Sequence, residues 1–274
     1  MSLAHNHHHH AHGDLTKKAA IASVSMALFL LALKTFAAAE TGSVALLGSL
    51  ADTAFDVLAS LLTLFSVRYA AMPADDDHRF GHGKAEALSA LLQVILVTVS
   101  AILIAWRAIV RFGDHAPTDH PEYGIGVSII AIITTLGLLA YQRYVVLKTG
   151  SVAIQADHVH YQSDLLLNIA VIIAILLDTM LNVRGADPLF GLAIAAWLLW
   201  GAYRAAGLAL DQLLDREWPQ EKRQRFIEVA LRHPELRGIH DMRTRSSGVH
   251  DFCQFHVWVD PNMTVEAAHQ IMDE

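Results

Sequence analysis

Six long apolar stretches, separated by short polar loops, fill most of the chain: roughly Ala19 to Ala39, Val44 to Tyr69, Ala85 to Val110, Tyr123 to Tyr141, Ala153 to Leu181 and Pro188 to Leu210. A helix that crosses a bilayer needs about 20 mainly apolar residues, and each stretch meets that length. A soluble bundle of similar content would show a polar stripe on every helix. Val127–Leu139 and Ile169–Leu177 have almost no polar positions. The pattern therefore predicts an α-helical membrane protein with six transmembrane helices over residues 16–211.

The pattern changes after Leu210. LDREWPQEKRQRFIEVALRHPE is charged, with Phe226, Val229 and Leu231 at helical spacing behind Pro219. GIHDMRTRSSGVHDFCQFHVWVD then alternates as two strands do, with Ser246-Ser247-Gly248 as the turn. A second helix is expected from about Thr264. Residues 212–274 thus read as a small α+β domain outside the membrane. At the other end, residues 1–15 contain HNHHHHAH, a low-complexity run expected to be a disordered tail, either inert or loosely metal-collecting. Lys17, Arg68, Arg79, Lys84, Arg143, Lys148 and Arg204 fall on one side of the membrane, and only Arg107, Arg111 and Arg184 on the other. The excess of basic residues assigns the first side, with both termini, to the cytoplasm.

Composition sharpens this picture. Hydrophobic residues make up 54% of the 274 positions and charged ones only 17%, against about 45–50% and about 25% in soluble domains. The net charge of -7 comes without any basic run, which argues against a nucleic-acid partner. The single cysteine, Cys253, excludes an intramolecular disulfide and a cysteine-rich zinc finger.

The chemistry lies in polar residues that interrupt the apolar helices. Asp52 and Asp56 sit in SLADTAFDVLAS, and His160 and Asp164 in ADHVHYQSDLLLN. Both pairs have i,i+4 spacing, which places their side chains on one helical face. An ionisable group near the bilayer centre costs roughly 2.5–3.5 kcal/mol, so four of them need compensation. Three carboxylates and an imidazole around a divalent cation supply it, and four ligands suit tetrahedral Zn²⁺. The oxygen-rich set also accepts Fe²⁺, Mn²⁺ or Cd²⁺. The same residues equally describe hydrogen-bond partners between helices or a proton relay without metal. A second cluster, Asp75, His78 and His82 in DDDHRFGHGK, is either a weak metal site or a solvated polar turn. Lys34, inside the first apolar stretch, has no assigned role.

The motifs SLADTAFD, PADDDHRFGHGKAEAL, ADHVHYQSD, LLDREWP and GIHDMRTRSSG occur in one order along Thr16–Glu274. On these the chain resembles the cation diffusion facilitator family, and within it the bacterial ferrous-iron/zinc efflux branch. The resemblance implies a homodimeric metal/proton antiporter of the bacterial inner membrane, with a ferredoxin-like cytoplasmic domain. It implies that Asp52, Asp56, His160 and Asp164 form the transport site for Zn²⁺ or Fe²⁺. It further implies a second, regulatory ion at Asp75, His78 and His82. A binuclear site would include His240, His256 and His269, and would be incomplete here because two further family ligands lie on a strand beyond Glu274. Lys84 is expected to pair with Asp215, coupling membrane and cytoplasmic parts across the dimer. His160 is the expected proton-exchange group, because imidazole titrates near neutral pH. Competing readings are a passive divalent-cation channel, a metal-sensing membrane protein, and an intramembrane metalloenzyme. The last is disfavoured because four protein ligands leave no open metal position.

Overall fold

A computed structural model describes residues 3–41, 44–111, 121–181, 186–248 and 250–273. The apolar stretches become six long helices: α1 (Leu3–Thr41), α2 (Val44–Ala70), α3 (Lys84–Arg111), α4 (Pro121–Thr149), α5 (Val152–Leu181) and α6 (Ala186–Leu213). Among the described residues, α1, α2, α3, α4 and α6 each hold a segment long and apolar enough to cross a membrane. The remaining long helix, α5, is 30 residues long and carries Asp157, His158, His160 and Asp164 in its first half.

The distribution of side chains is that of a bundle built for lipid. Large apolar groups point outward: Phe36, Phe65, Trp106 and Tyr203 are 66–73% exposed. Small ones pack inside, with Ala19, Ala20, Ala87, Ala101, Ala153 and Ala209 fully buried. Apolar side chains gain nothing by leaving lipid, so helices in a bilayer associate through small residues that permit close approach and through polar contacts. The interior accordingly holds Ser23, Thr53, Ser60, Thr63, Gln93, Gln142 and Asp157. This inversion argues against a soluble helical bundle more strongly than composition does.

The helix α1 differs from expectation at its start. Its backbone begins at Leu3 and runs as helix through the histidine-rich segment, where a structureless tail was expected. No proline interrupts that segment, so the i to i+4 ladder can continue upstream. The side chains before Gly13 lie outside the described residues.

Beyond α6 the chain turns at Asp215, which adopts a left-handed backbone with φ 55°. The cytoplasmic part consists of α7 (Gln220–Ala230), strands β1 (Gly238–Ser247) and β2 (His250–Trp258), and α8 (Val265–Asp273). The strands pair antiparallel as the alternation predicts, with His240 opposite His256 and Ser247 opposite His250, and a register shift between His240 and Arg243. The rings of Trp218, Phe226 and Phe255 hold α7 against the hairpin, with centroids 6.2 and 5.4 Å apart.

The hairpin docks on the membrane bundle beside the start of α3. Gly83, immediately before α3, meets the end of β1 so closely that a side-chain carbon there would lie 2.3 Å from the Ser247 carbonyl oxygen. Beside it the Arg245 guanidinium stacks 4.1 Å from the centre of the Phe80 ring, and Phe80 meets Phe252 edge-on at 5.8 Å.

Candidate metal centre

The i,i+4 pair on α5 and the acid on α2 converge. His160 Nε2 lies 3.1 Å from Asp56 Oδ1 and 3.9 Å from Asp164 Oδ2. One donor atom from each of the three residues falls within 4.8 Å of the others. Ligand atoms around a tetrahedral ion at about 2.0–2.1 Å stand about 3.3 Å from one another; the His160–Asp56 separation is close to that value and the His160–Asp164 separation is wider. The side chains are largely enclosed, at 12% exposure for His160, 19% for Asp56 and 27% for Asp164. His160 Nε2 is buried and makes no aligned hydrogen bond among the described residues, despite its closeness to the Asp56 carboxylate. A buried nitrogen that faces two carboxylates without bonding to either fits a metal-ligand role, because a cation would satisfy all three. Asp52, the fourth residue expected here, lies one turn earlier on α2, and its side chain is outside the described residues.

Next to this cluster stands a buried polar network that the sequence reading missed. Asp157, one turn before His160 on α5, is fully buried. Gln142 of α4 donates to its Oδ2 at 2.8 Å, and Gln93 of α3 donates to its Oδ1 at 3.3 Å. Gln142 also reaches Ser23 of α1 at 3.0 Å, and Gln93 bonds Thr63 of α2. Tyr161 donates to the Ser23 carbonyl at 3.0 Å and shares a 2.8 Å hydrogen bond with Ser60. One carboxylate thus ties together helices α1 to α5. Its signal was present in the sequence, since Asp157, Gln93 and Gln142 are polar positions within apolar helices.

The loop cluster forms as well. Asp75 Oδ1 accepts the backbone N–H of His78 at 2.6 Å and lies 3.2 Å from His78 Nδ1. Its other oxygen lies 3.3 Å from Nε2 of the buried His82. The three donors fall within 4.8 Å of one another. The hydrogen bond from the His78 backbone, followed by the His78 side chain and the charge of His82, holds the Asp75 carboxyl below its ordinary 3.8. A depressed pKa stabilises the folded loop above pH 3.8, and that contribution is lost as the pH falls through the lower, folded-state value. An NMR titration of the Asp75 carboxyl should therefore give a midpoint below 3.8; a midpoint at or above it would show that the His78 contacts do not persist.

In the cytoplasmic domain His240 and His256 are cross-strand neighbours with ring centres 5.3 Å apart, and His256 Nδ1 lies 4.0 Å from Asp241. His269 is on α8. Among the described residues these three histidines do not form a group of donors close enough to share one ion. Lys84 Nζ lies 3.0 Å from Asp215 Oδ1 within a single chain. It also donates to the Leu213 carbonyl at 3.2 Å, and Arg245 approaches the other Asp215 oxygen at 3.6 Å.

Comparison with known proteins follows this division of the chain. Residues 20–214 match the model of the cation efflux transmembrane domain, and residues 218–274 that of the cation efflux protein cytoplasmic domain. A protein of Salmonella arizonae named cation-efflux pump FieF is 43% identical over 263 residues, covering 96% of this chain and 87% of its own length. A protein of the same name from Cronobacter sakazakii is 41% identical over the same shares of both chains.

Proposed function

The chain belongs to the cation efflux family, and from that premise we propose that it exports a divalent cation from the cytoplasm in exchange for protons. The observation that carries this reading is the convergence of Asp56, His160 and Asp164 from two membrane helices into one shell of donors. Asp52 completes the set as a fourth ligand. An oxygen-rich site with one imidazole accepts Zn²⁺, and also Fe²⁺, Cd²⁺ or Mn²⁺; Zn²⁺ is the cargo proposed.

Ligands bind metal in deprotonated form, so loading the site from the cytoplasm releases protons. When the site opens to the other side, protons return to His160 and the carboxylates and expel the ion. The proton gradient then drives metal outward. The site alternates between the two faces while both chain termini stay in the cytoplasm, a placement supported by the distribution of Lys and Arg. The bacterial inner membrane is the setting proposed.

The cytoplasmic domain joins two copies into a homodimer. Asp75, His78 and His82 hold a second ion, and His240, His256 and His269 supply some of the ligands of a binuclear site, without all three sharing one ion. The ion pair of Lys84 with Asp215 links the start of α3 to the end of α6, and Arg245 of β1 approaches the same carboxylate, so the membrane bundle and the cytoplasmic domain stay coupled.

The test is Zn²⁺ uptake into proteoliposomes under an imposed pH gradient. The expected flux saturates with Zn²⁺, follows the gradient and reverses when the gradient is inverted. Flux that ignores the pH gradient would replace the exchanger with a passive channel.

A further inference from the structure

Lys34 lies within the Gly13–Ala39 membrane span, towards its end, where an ammonium group is still costly to place, and the exchange described above does not use it. Its Nζ donates to Thr53 Oγ1 at 2.6 Å. Thr53 is fully buried on α2 and sits directly after Asp52 and three residues before Asp56. Residues three apart on a helix are surface neighbours, so the hydrogen bond fixes the ammonium on the α2 face that carries the acids. Lys34 is therefore anchored through a neutral hydroxyl, on the turn of α2 that carries Asp52 and Asp56.

We propose that Lys34 is a resident counter-charge of the transport site, which sets how tightly the site holds a divalent cation and how fast it lets it go. This rests on the transport-site reading above. The charges balance in a particular way. Asp52, Asp56 and Asp164 bring three negative charges, and a doubly charged ion neutralises two. Lys34 neutralises the third, so the loaded site is electrically neutral in an environment of low dielectric. Without Lys34 the loaded site keeps one net negative charge, and the ion is held by an attraction that no longer has an internal competitor. Binding tightens and release slows. The counter-charge thus limits affinity in favour of turnover.

The experiment compares Zn²⁺ transport by wild type, Lys34→Gln, Lys34→Arg and Thr53→Val in proteoliposomes, with Asp56→Ala as the site control. Lys34→Gln should lower KM by roughly ten- to a hundredfold, the scale of a unit charge acting on a nearby doubly charged ion under water-like screening. Its maximal rate should fall as well. Lys34→Arg keeps the charge and should stay within a few-fold of wild type. Thr53→Val removes the hydroxyl but not the charge, and should change KM far less than Lys34→Gln. An unchanged or raised KM in Lys34→Gln would overturn the proposal, as would a Thr53→Val variant that reproduces its effect. Lys34→Met serves as a second neutral variant. If neither neutral variant folds while Lys34→Arg does, the charge serves helix packing and the proposal fails. Full flux in Asp56→Ala would instead overturn the site assignment itself, so the two failures are distinguishable.

Discussion

Zn²⁺ flux through Asp56→Ala should fall to that of protein-free vesicles. Asp56 is the only described carboxylate that reaches His160 from α2, at 3.1 Å. Its removal leaves His160 and Asp164, both on α5, as the described donors of the shell. Even partners that merely orient metal ligands are worth about 10–100-fold in affinity, so loss of a ligand itself should cost at least about a hundredfold. The variant should remain folded, because Asp56 and Asp164 crowd two carboxylates around one imidazole. Removing one negative charge relieves repulsion there. Flux at the wild-type level in a monodisperse Asp56→Ala preparation would remove the α2–α5 site from the transport path.

The second large effect is expected on stability. Asp157→Leu deprives the Gln93 and Gln142 side chains of their shared acceptor in the centre of the bundle. A buried polar group left unsatisfied costs about 1–3 kcal/mol, and two amides lose a partner at once. We expect a destabilisation of about 2–6 kcal/mol, the range for two buried amides left unsatisfied. Heat denaturation in detergent should show it as a midpoint lowered by at least about 5 °C. Asp157→Asn keeps an acceptor oxygen in place and should lose much less. Equal midpoints for wild type and Asp157→Leu would mean that the network does not hold the helices together.

These two residues mark how far local pattern carries a reading of this chain. The helices were legible because a bilayer demands long apolar runs, and that demand is written residue by residue. Asp56, His160 and Asp164 were legible because i,i+4 spacing on a helix fixes a common face. Asp157 belongs to the same ADHVHYQSD segment, yet its role was not legible there. Its partners are Gln93 and Gln142, on other helices, and no spacing rule connects residues whose nearness arises only when three helices pack. The same holds for Lys34, whose partner Thr53 lies across the α1–α2 interface. The hairpin in the cytoplasmic domain was readable from its alternation and its Ser-Ser-Gly turn. The register shift after His240 was not, since it depends on the left-handed backbone of Asp241, with φ 49°.

The seat of the hairpin on Gly83 has a consequence for how motion could travel through the molecule. At that point main chain rests on main chain, with only the short Ser247 hydroxyl beside it to absorb a shift. A sideways step of the Ser246–Gly248 tip must carry the first turn of α3 with it, like one tooth of a gear driving the next. His82 precedes Gly83 directly, so the same step would pull its imidazole away from Asp75. An ion gripped by that loop would then act as a brake on any swing of the domain below it.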